Sequence, residues 1–245
     1  MSDRIIIAVP RGTLFGGTLD LLDGLGIDTA EVRSNDRKLL FADVGIVTMR
    51  PSDVPTYVEH GSADVGVTGK DVLLEQSHRR VYELLDLGYG QCEMVVAAPG
   101  RGDPIGDALR RLGRVRIATK YPHVAAEHFA QTGRQAEIVE VKGSVELAPL
   151  TGLVDGIVDL TATGKTLEEN NLKVVERIAT STARLIANPV AHKLKAEQID
   201  SIVERVRGLG SSATLLAAAR PRSRSSRSQR SSTRSASRAT PRFAT

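Results

Sequence analysis

Short apolar runs alternating with helix-period stretches organise this chain. Runs at 5–9, 46–49 and 63–67 read as buried strands, and the stretches at 18–25, 54–60 and 70–76 carry helical spacing. A second set of strand-like runs lies at 93–98, 116–119, 137–141 and 156–161, with helices between. Strands alternating with helices predict an α/β fold built on parallel sheets. The run at 181–187 reads as a returning strand. The stretch 196–207 is an amphipathic helix with Ile199, Ile202, Val203 and Val206 on one face. Pro99-Gly-Arg-Gly-Asp-Pro104 reads as a surface loop.

A length of 245 residues is enough for one large domain or two small ones with real cores. No apolar run is long enough to cross a bilayer, and the 5–9 run is too short for a signal peptide, so a soluble, cytoplasmic protein is expected. Cys92 is the single cysteine, which excludes an intrachain disulfide and suits a reducing compartment. Core packing or an unreactive thiol is its expected role.

The net charge of +4 hides a division. Eight arginines and no acids fall within 220–245, and the rest of the chain holds 25 Lys and Arg against 29 Asp and Glu, about −4. The body of the chain is therefore no general binder of polyanions. The Arg/Ser-rich tail over 210–245 cannot bury enough apolar surface to order itself and is expected to be disordered. Its composition is also what a frameshifted GC-rich gene end encodes, which weighs against a nucleic-acid role.

Residues 152–167 carry the chemistry. A strand-like run with two acids, Asp155 and Asp159, breaks into Thr161-Ala-Thr-Gly-Lys-Thr166, and a helix-like Leu167-Glu-Glu-Asn-Asn-Leu172 follows. Thr161, Ala162, Thr163, Gly164, Lys165 and Thr166 have the makings of a phosphate cradle. Backbone N–H groups there can point at an anion, a helix N-terminus adds its dipole, and the hydroxyls add donors. Acids just ahead would meet sugar hydroxyls or a metal carried by the phosphates. A P-loop is excluded because Asp159 stands where its first glycine is required. His123 and His128 are five apart, on different helix faces, and no second pair supports a zinc site.

The stretch from Glu146 through Leu167 resembles the signature of ATP phosphoribosyltransferase, the family that opens histidine biosynthesis. Ala8-Val-Pro-Arg-Gly12 resembles its N-terminal loop, with Arg11 where lysine is usual. Arg37-Lys-Leu39, Arg50-Pro-Ser-Asp-Val-Pro-Thr-Tyr-Val-Glu-His-Gly61, Asp64-Val-Gly-Val-Thr-Gly-Lys-Asp71, Ala118-Thr-Lys-Tyr-Pro122 and Gly143-Ser-Val-Glu-Leu-Ala-Pro149 follow its pattern. Val154 departs from it, standing where a small residue is usual. The resemblance covers about 4–209.

The resemblance implies two α/β lobes of periplasmic-binding-protein-like (type II) architecture with a cleft between them. The first would comprise 1–90 with 180–209 and the second 91–179, with the tail from 210. It implies condensation of ATP, through adenine N1, with phosphoribosyl pyrophosphate, using Mg²⁺. The expected roles are 5-phosphate binding by 161–166, ribose or Mg²⁺ contacts by Asp155, Asp159 and Glu146, and phosphate contacts by Arg11 with Gly12, Arg37 and Arg50. Arg50 is counted with the two aspartates as catalytic. Lys70 and Tyr121 are weaker candidates, for phosphate and for stacking on adenine. The length matches the short form, which implies a regulatory subunit resembling histidyl-tRNA synthetase in a hetero-octamer. Alternatives are a non-catalytic ligand-binding module of the same two-lobed fold and an RNA-associated protein acting through its tail.

Overall fold

In the computed structural model, residues 4–219 are described and form two sheets, each covered by helices on both faces. The first uses β1 (Ile7–Pro10), β2 (Leu40–Phe41), β3 (Ile46–Met49), β4 (Val65–Gly69), β5 (Tyr82–Asp86) and, much later, β11 (Ala183–Ala187). The second holds β6 (Cys92–Pro99), β7 (Val115–Thr119), β8 (Ala136–Glu140), β9 (Gly156–Thr161) and β10 (Leu172–Ser181). The helices in chain order are α1 (Phe15–Gly24), α2 (Ala30–Ser34), α3 (Val54–Glu59), α4 (Lys70–Glu75), α5 (Pro104–Leu112), α6 (Pro122–Gln131), α7 (Leu147–Leu150), α8 (Lys165–Glu169), α9 (Pro189–Leu194) and α10 (Ala196–Ala219).

The strand orders are β2-β3-β1-β4-β11-β5 and β10-β6-β9-β7-β8. The central strands β1 and β4 are buried along their whole length, as a strand covered on both faces must be. Each sheet separates two apolar clusters. In the first, Leu19, Phe41 and Ile199 lie on one side and Val54, Val58 and Ile186 on the other. In the second, Met94, Ile117 and Phe129 oppose Val95, Val154 and Ile157. Gly66 lets α3 lie close on the sheet, because a Cβ there would stand 2.6 Å from Val54 Cγ1.

Three expectations are corrected. The sheets are mixed: β1, β3 and β4 are parallel, as are β7, β8 and β9, but β2, β6, β10 and β11 pair antiparallel. The reason is the route of the chain. It leaves the first sheet from β5 into β6 and returns from β10 into β11 across a single residue, Thr182. β10 also escaped the sequence reading, since it is a bulged edge strand whose Lys173, Glu176 and Arg177 break the apolar pattern. Finally, α10 passes residue 209 and continues to Ala219. Ala213, Leu215, Leu216 and the alanines at 217–219 are strong helix formers. The rest of the expected tail, 220–245, lies outside the described residues.

The amphipathic reading of α10 holds, with Ile199, Val203 and Val206 buried against the first sheet. No helix among the described residues is long and apolar enough to cross a membrane.

Candidate active site

Parallel pairing brings two distant arginines together at the C-terminal edge of the first sheet. Pro10 pairs with Met49, so the next residues on each strand, Arg11 and Arg50, emerge side by side, and the Arg11 amide donates to Met49 O at 2.8 Å. Arg11 is fully engaged. Its Nε donates to Thr48 Oγ1 at 3.0 Å, its Nη2 donates to Lys38 O at 2.9 Å, and its Nη1 lies 3.6 Å from Asp36. It fastens the 36–39 segment across the ends of β1 and β3. Arg37 and Arg50 are exposed, and their guanidinium groups have no partner among the described residues. Gly12 has φ of 88°, a conformation glycine adopts without steric cost. Lys70 is paired with Glu83 at 2.6 Å.

The second sheet presents a matching edge. β7, β8 and β9 are parallel; β7 and β8 end level at Thr119 and Glu140 and β9 runs three residues past Val158 to Thr161, so Lys120-Tyr121, the 142–146 turn ending at Glu146, and 161–166 all follow strand ends on this edge. In the last of these the Thr161 hydroxyl accepts the Gly164 N–H at 2.9 Å, and Gly164 turns the chain at φ of 77°. Among the described residues, the amides of Thr163, Lys165 and Thr166 meet no protein acceptor. Ala162, Thr163, Lys165 and Thr166 are exposed. A loop of free amides and hydroxyls can take a phosphate group. Glu146 is half-buried at the start of α7, and Ser144 just before it holds a left-handed φ of 42°.

The two aspartates part company. Asp159 is buried near the cradle end of β9, with Lys120 Nζ 3.1 Å from its Oδ1. Asp155 precedes the other end of the strand. Six residues at ~3.3 Å each put it about 20 Å from Thr161. There its carboxylate accepts the Arg116 amide at 2.8 Å and faces the Arg116 guanidinium at 3.6 Å. The structure thus keeps Asp159 beside 161–166, leaves Asp155 apart, and sets Glu146 on the segment that follows β8. Val154 is buried beside Ala118, Val145 and Ile157, so its branched side chain fills core.

A polar joint connects the two edges. Asp71, at the start of α4, accepts from Tyr121 Oη at 3.0 Å and from Ser181 Oγ at 2.7 Å, and the Ser181 oxygen accepts the Asp71 amide at 3.0 Å. One turn along α4, Glu75 accepts the first amides of α6, His123 and Val124, both at 3.0 Å. Burial, with Asp71 beside it, raises the Tyr121 hydroxyl above its ordinary range, so it stays a donor. Tyr121 is therefore a strut, and its ring is not available to adenine. Burial, then the Asp71 charge, also raises the Cys92 thiol, which disfavours a nucleophilic role. Sequence reasoning gave Asp71 no role.

Cavities of about 320 Å³ beside Ile27 and Val44, and about 570 Å³ beside Leu150 and Leu172, lie away from this cleft. Among the described residues, no group of three His, Cys, Asp or Glu side chains is arranged to hold a metal.

Comparison with known proteins points one way. The family model HisG: ATP phosphoribosyltransferase matches residues 50–208. An ATP phosphoribosyltransferase of Rubrobacter xylanophilus is 49% identical over 203 residues, 82% of this chain and 94% of the relative. One from Carboxydothermus hydrogenoformans is 46% identical, covering 85% of this chain and 95% of the relative. The ATP phosphoribosyl transferase (HisG:HisZ) complex from Thermotoga maritima superposes with a TM-score of 0.71 at 35% identity, over 85% of this chain and 99% of that one. The periplasmic aliphatic sulphonate binding protein SsuA of Escherichia coli matches with a TM-score of 0.57 at 12% identity, over 87% and 75%, and so shares the fold alone.

Proposed function

Because this chain belongs to the ATP phosphoribosyltransferase family, we propose that the cleft between its two sheet edges carries out the first step of histidine biosynthesis with the residues assigned below. Adenine N1 of ATP attacks C1 of phosphoribosyl pyrophosphate. The C1–O bond to pyrophosphate breaks, giving phosphoribosyl-ATP and pyrophosphate. Positive charge builds on the ribose and negative charge on the leaving group, so the protein's task is to orient two anions and to stabilise developing charge. The single observation that carries the reading is that a free-amide Thr/Gly loop and unpaired arginines occupy C-terminal strand edges joined by one strut. Ligands in open α/β sheets bind outside such edges.

The amides and hydroxyls of 161–166 take the ribose 5-phosphate. Asp159, beside the cradle, and Glu146, at the start of α7, are assigned the ribose hydroxyls; Asp155 is left out because it sits at the far end of β9. Arg37 and Arg50 take phosphate oxygens, their planar forks matching two oxygens at once. Arg11 and Gly12 shape the loop that presents them.

The Asp159 carboxylate is an oxygen donor of the kind that a divalent metal carried on the pyrophosphate takes. Mg²⁺ is the metal we assign, and when bound it neutralises charge on the leaving group. Following the HisG:HisZ complex of Thermotoga maritima, a regulatory subunit resembling histidyl-tRNA synthetase is proposed to join this chain, in a hetero-octamer, in the cytoplasm.

The test is phosphoribosyl-ATP formation from ATP, phosphoribosyl pyrophosphate and Mg²⁺, with and without that subunit. Product establishes the transferase, and histidine inhibition only with the subunit establishes where feedback resides. Folded chain with an active partner and no product would return the cleft to a binding module.

A further inference from the structure

We propose that Lys120 is a substrate-contacting cation of this cleft, taking the pyrophosphate end of phosphoribosyl pyrophosphate, and that the Tyr121–Asp71 hydrogen bond sets its position. The proposal rests on the transferase reading. Thr119 pairs in parallel with Val158, so Lys120 follows beside Asp159, two residues short of Thr161 on the next strand. A strand spacing of ~4.8 Å and two steps of ~3.3 Å put the Cα atoms of Lys120 and Thr161 about 8 Å apart. A lysine side chain spans that gap.

Its surroundings hold the ammonium in readiness. Asp159, with only 8% of its side chain exposed, is the resting partner at 3.1 Å, while the Lys120 side chain is 42% exposed. One side of the charge thus meets a buried acid and the other meets solvent. The ammonium lies over the Tyr121 ring, with Nζ 5.4 Å from its centroid. That ring cannot turn away: its hydroxyl is tied to Asp71 at 3.0 Å, and its amide donates to Thr119 Oγ1 at 2.9 Å. At the facing edge Arg11 is tied to Thr48 and Lys38 and Lys70 to Glu83, while Lys165 stands exposed in the cradle itself. An ammonium is a compact charge on a flexible stem, able to pass from a carboxylate to a phosphate oxygen as charge gathers on the leaving group.

Lys120→Met keeps the stem and removes the charge. Losing one charged contact should raise KM for phosphoribosyl pyrophosphate about tenfold or more and leave KM for ATP within about twofold. Lys120→Arg should restore most of the loss. Tyr121→Phe should move the same KM by about threefold and add nothing on the Lys120→Met background, because positioning has no object once the ammonium is gone. Thermal midpoints are measured alongside. Unchanged KM values in Lys120→Met overturn the proposal, as does a shift confined to ATP, which would assign the cation to the triphosphate. A Tyr121→Phe effect undiminished by Lys120→Met overturns the positioning role. Calorimetric binding of inorganic pyrophosphate needs no turnover and should weaken about tenfold in Lys120→Met. Wild-type chain that binds pyrophosphate through Lys120 yet makes no phosphoribosyl-ATP would refute the transferase reading alone.

Discussion

Gly69→Ala should unlock the joint on which the cleft turns. A Cβ at position 69 would lie 2.1 Å from Asp71 Oδ1, well inside contact distance. Backbone strain is not the cause, since φ at Gly69 is −79° and suits any residue. The Asp71 carboxylate must move by more than 1 Å (roughly the deficit from a ~3.3 Å carbon–oxygen contact). It is not free to do so, being held by hydroxyls of Ser181 at 2.7 Å and Tyr121 at 3.0 Å. Overpacking costs about 1–3 kcal/mol, and stretching hydrogen bonds to a buried charge adds about 1.5 kcal/mol. We expect about 2.5–4.5 kcal/mol, which for a chain of this size lowers the thermal midpoint by roughly 5–18 °C. Urea unfolding followed by circular dichroism measures the free energy. Asp71→Ala removes the obstructing carboxylate, so Gly69→Ala on that background should cost about 0.5 kcal/mol or less. A single Gly69→Ala chain as stable as wild type, or a cost that persists without Asp71, would refute the reasoning.

Thr161→Val removes both a phosphate donor and the oxygen that accepts the Gly164 amide, and should raise KM for phosphoribosyl pyrophosphate by about tenfold to a hundredfold in steady-state assays. Arg37→Ala and Arg50→Ala should weaken substrate binding with melting points unchanged, whereas Arg11→Ala, which cuts ties to Thr48 and Lys38, should lose about 1–3 kcal/mol in urea unfolding. Asp155→Asn, far from the cradle, should retain both KM values while Asp159→Asn does not; equal losses would return Asp155 to the site. Glu176 is held below its ordinary 4.5 by the Arg134 hydrogen bond, against the opposing effect of burial, with His128 adding to the lowering. Its stabilising effect is therefore complete above pH 4.5 and fades as pH falls through the lower folded value. The stability gap between wild type and Glu176→Gln should thus be full at neutral pH and close in acid, as pH-dependent urea titrations will show.

Much of the fold was legible in the sequence because buried parallel strands are written as continuous apolar runs, as in Ile46–Met49 and Gly156–Thr161. β10 was not, because an edge strand may carry charge on its open side without penalty. The cradle could be read because its residues adjoin in the chain. The two aspartates misled for the same reason: four residues apart reads as proximity, but along a strand it is about 13 Å. The pairing of Arg11 with Arg50 needed the β1–β3 register, and the Asp71–Tyr121 bond joins residues separated by 50 positions with no periodic signal between them.

The position of β11 also bears on how the chain assembles during synthesis. β11 lies between β4 and β5, pairing with both, although 96 residues of chain separate the end of β5 from its start. Until Ala183–Ala187 leave the ribosome, β5 has no strand to pair with and β4 keeps one edge bare. The second sheet, complete at Ser181, can close first. At ~5–20 residues per second the half-built first sheet waits about 5–20 seconds after β5 for β11. Its exposed β4 edge in that interval is the point at which a chaperone, or a neighbouring nascent copy, would take hold.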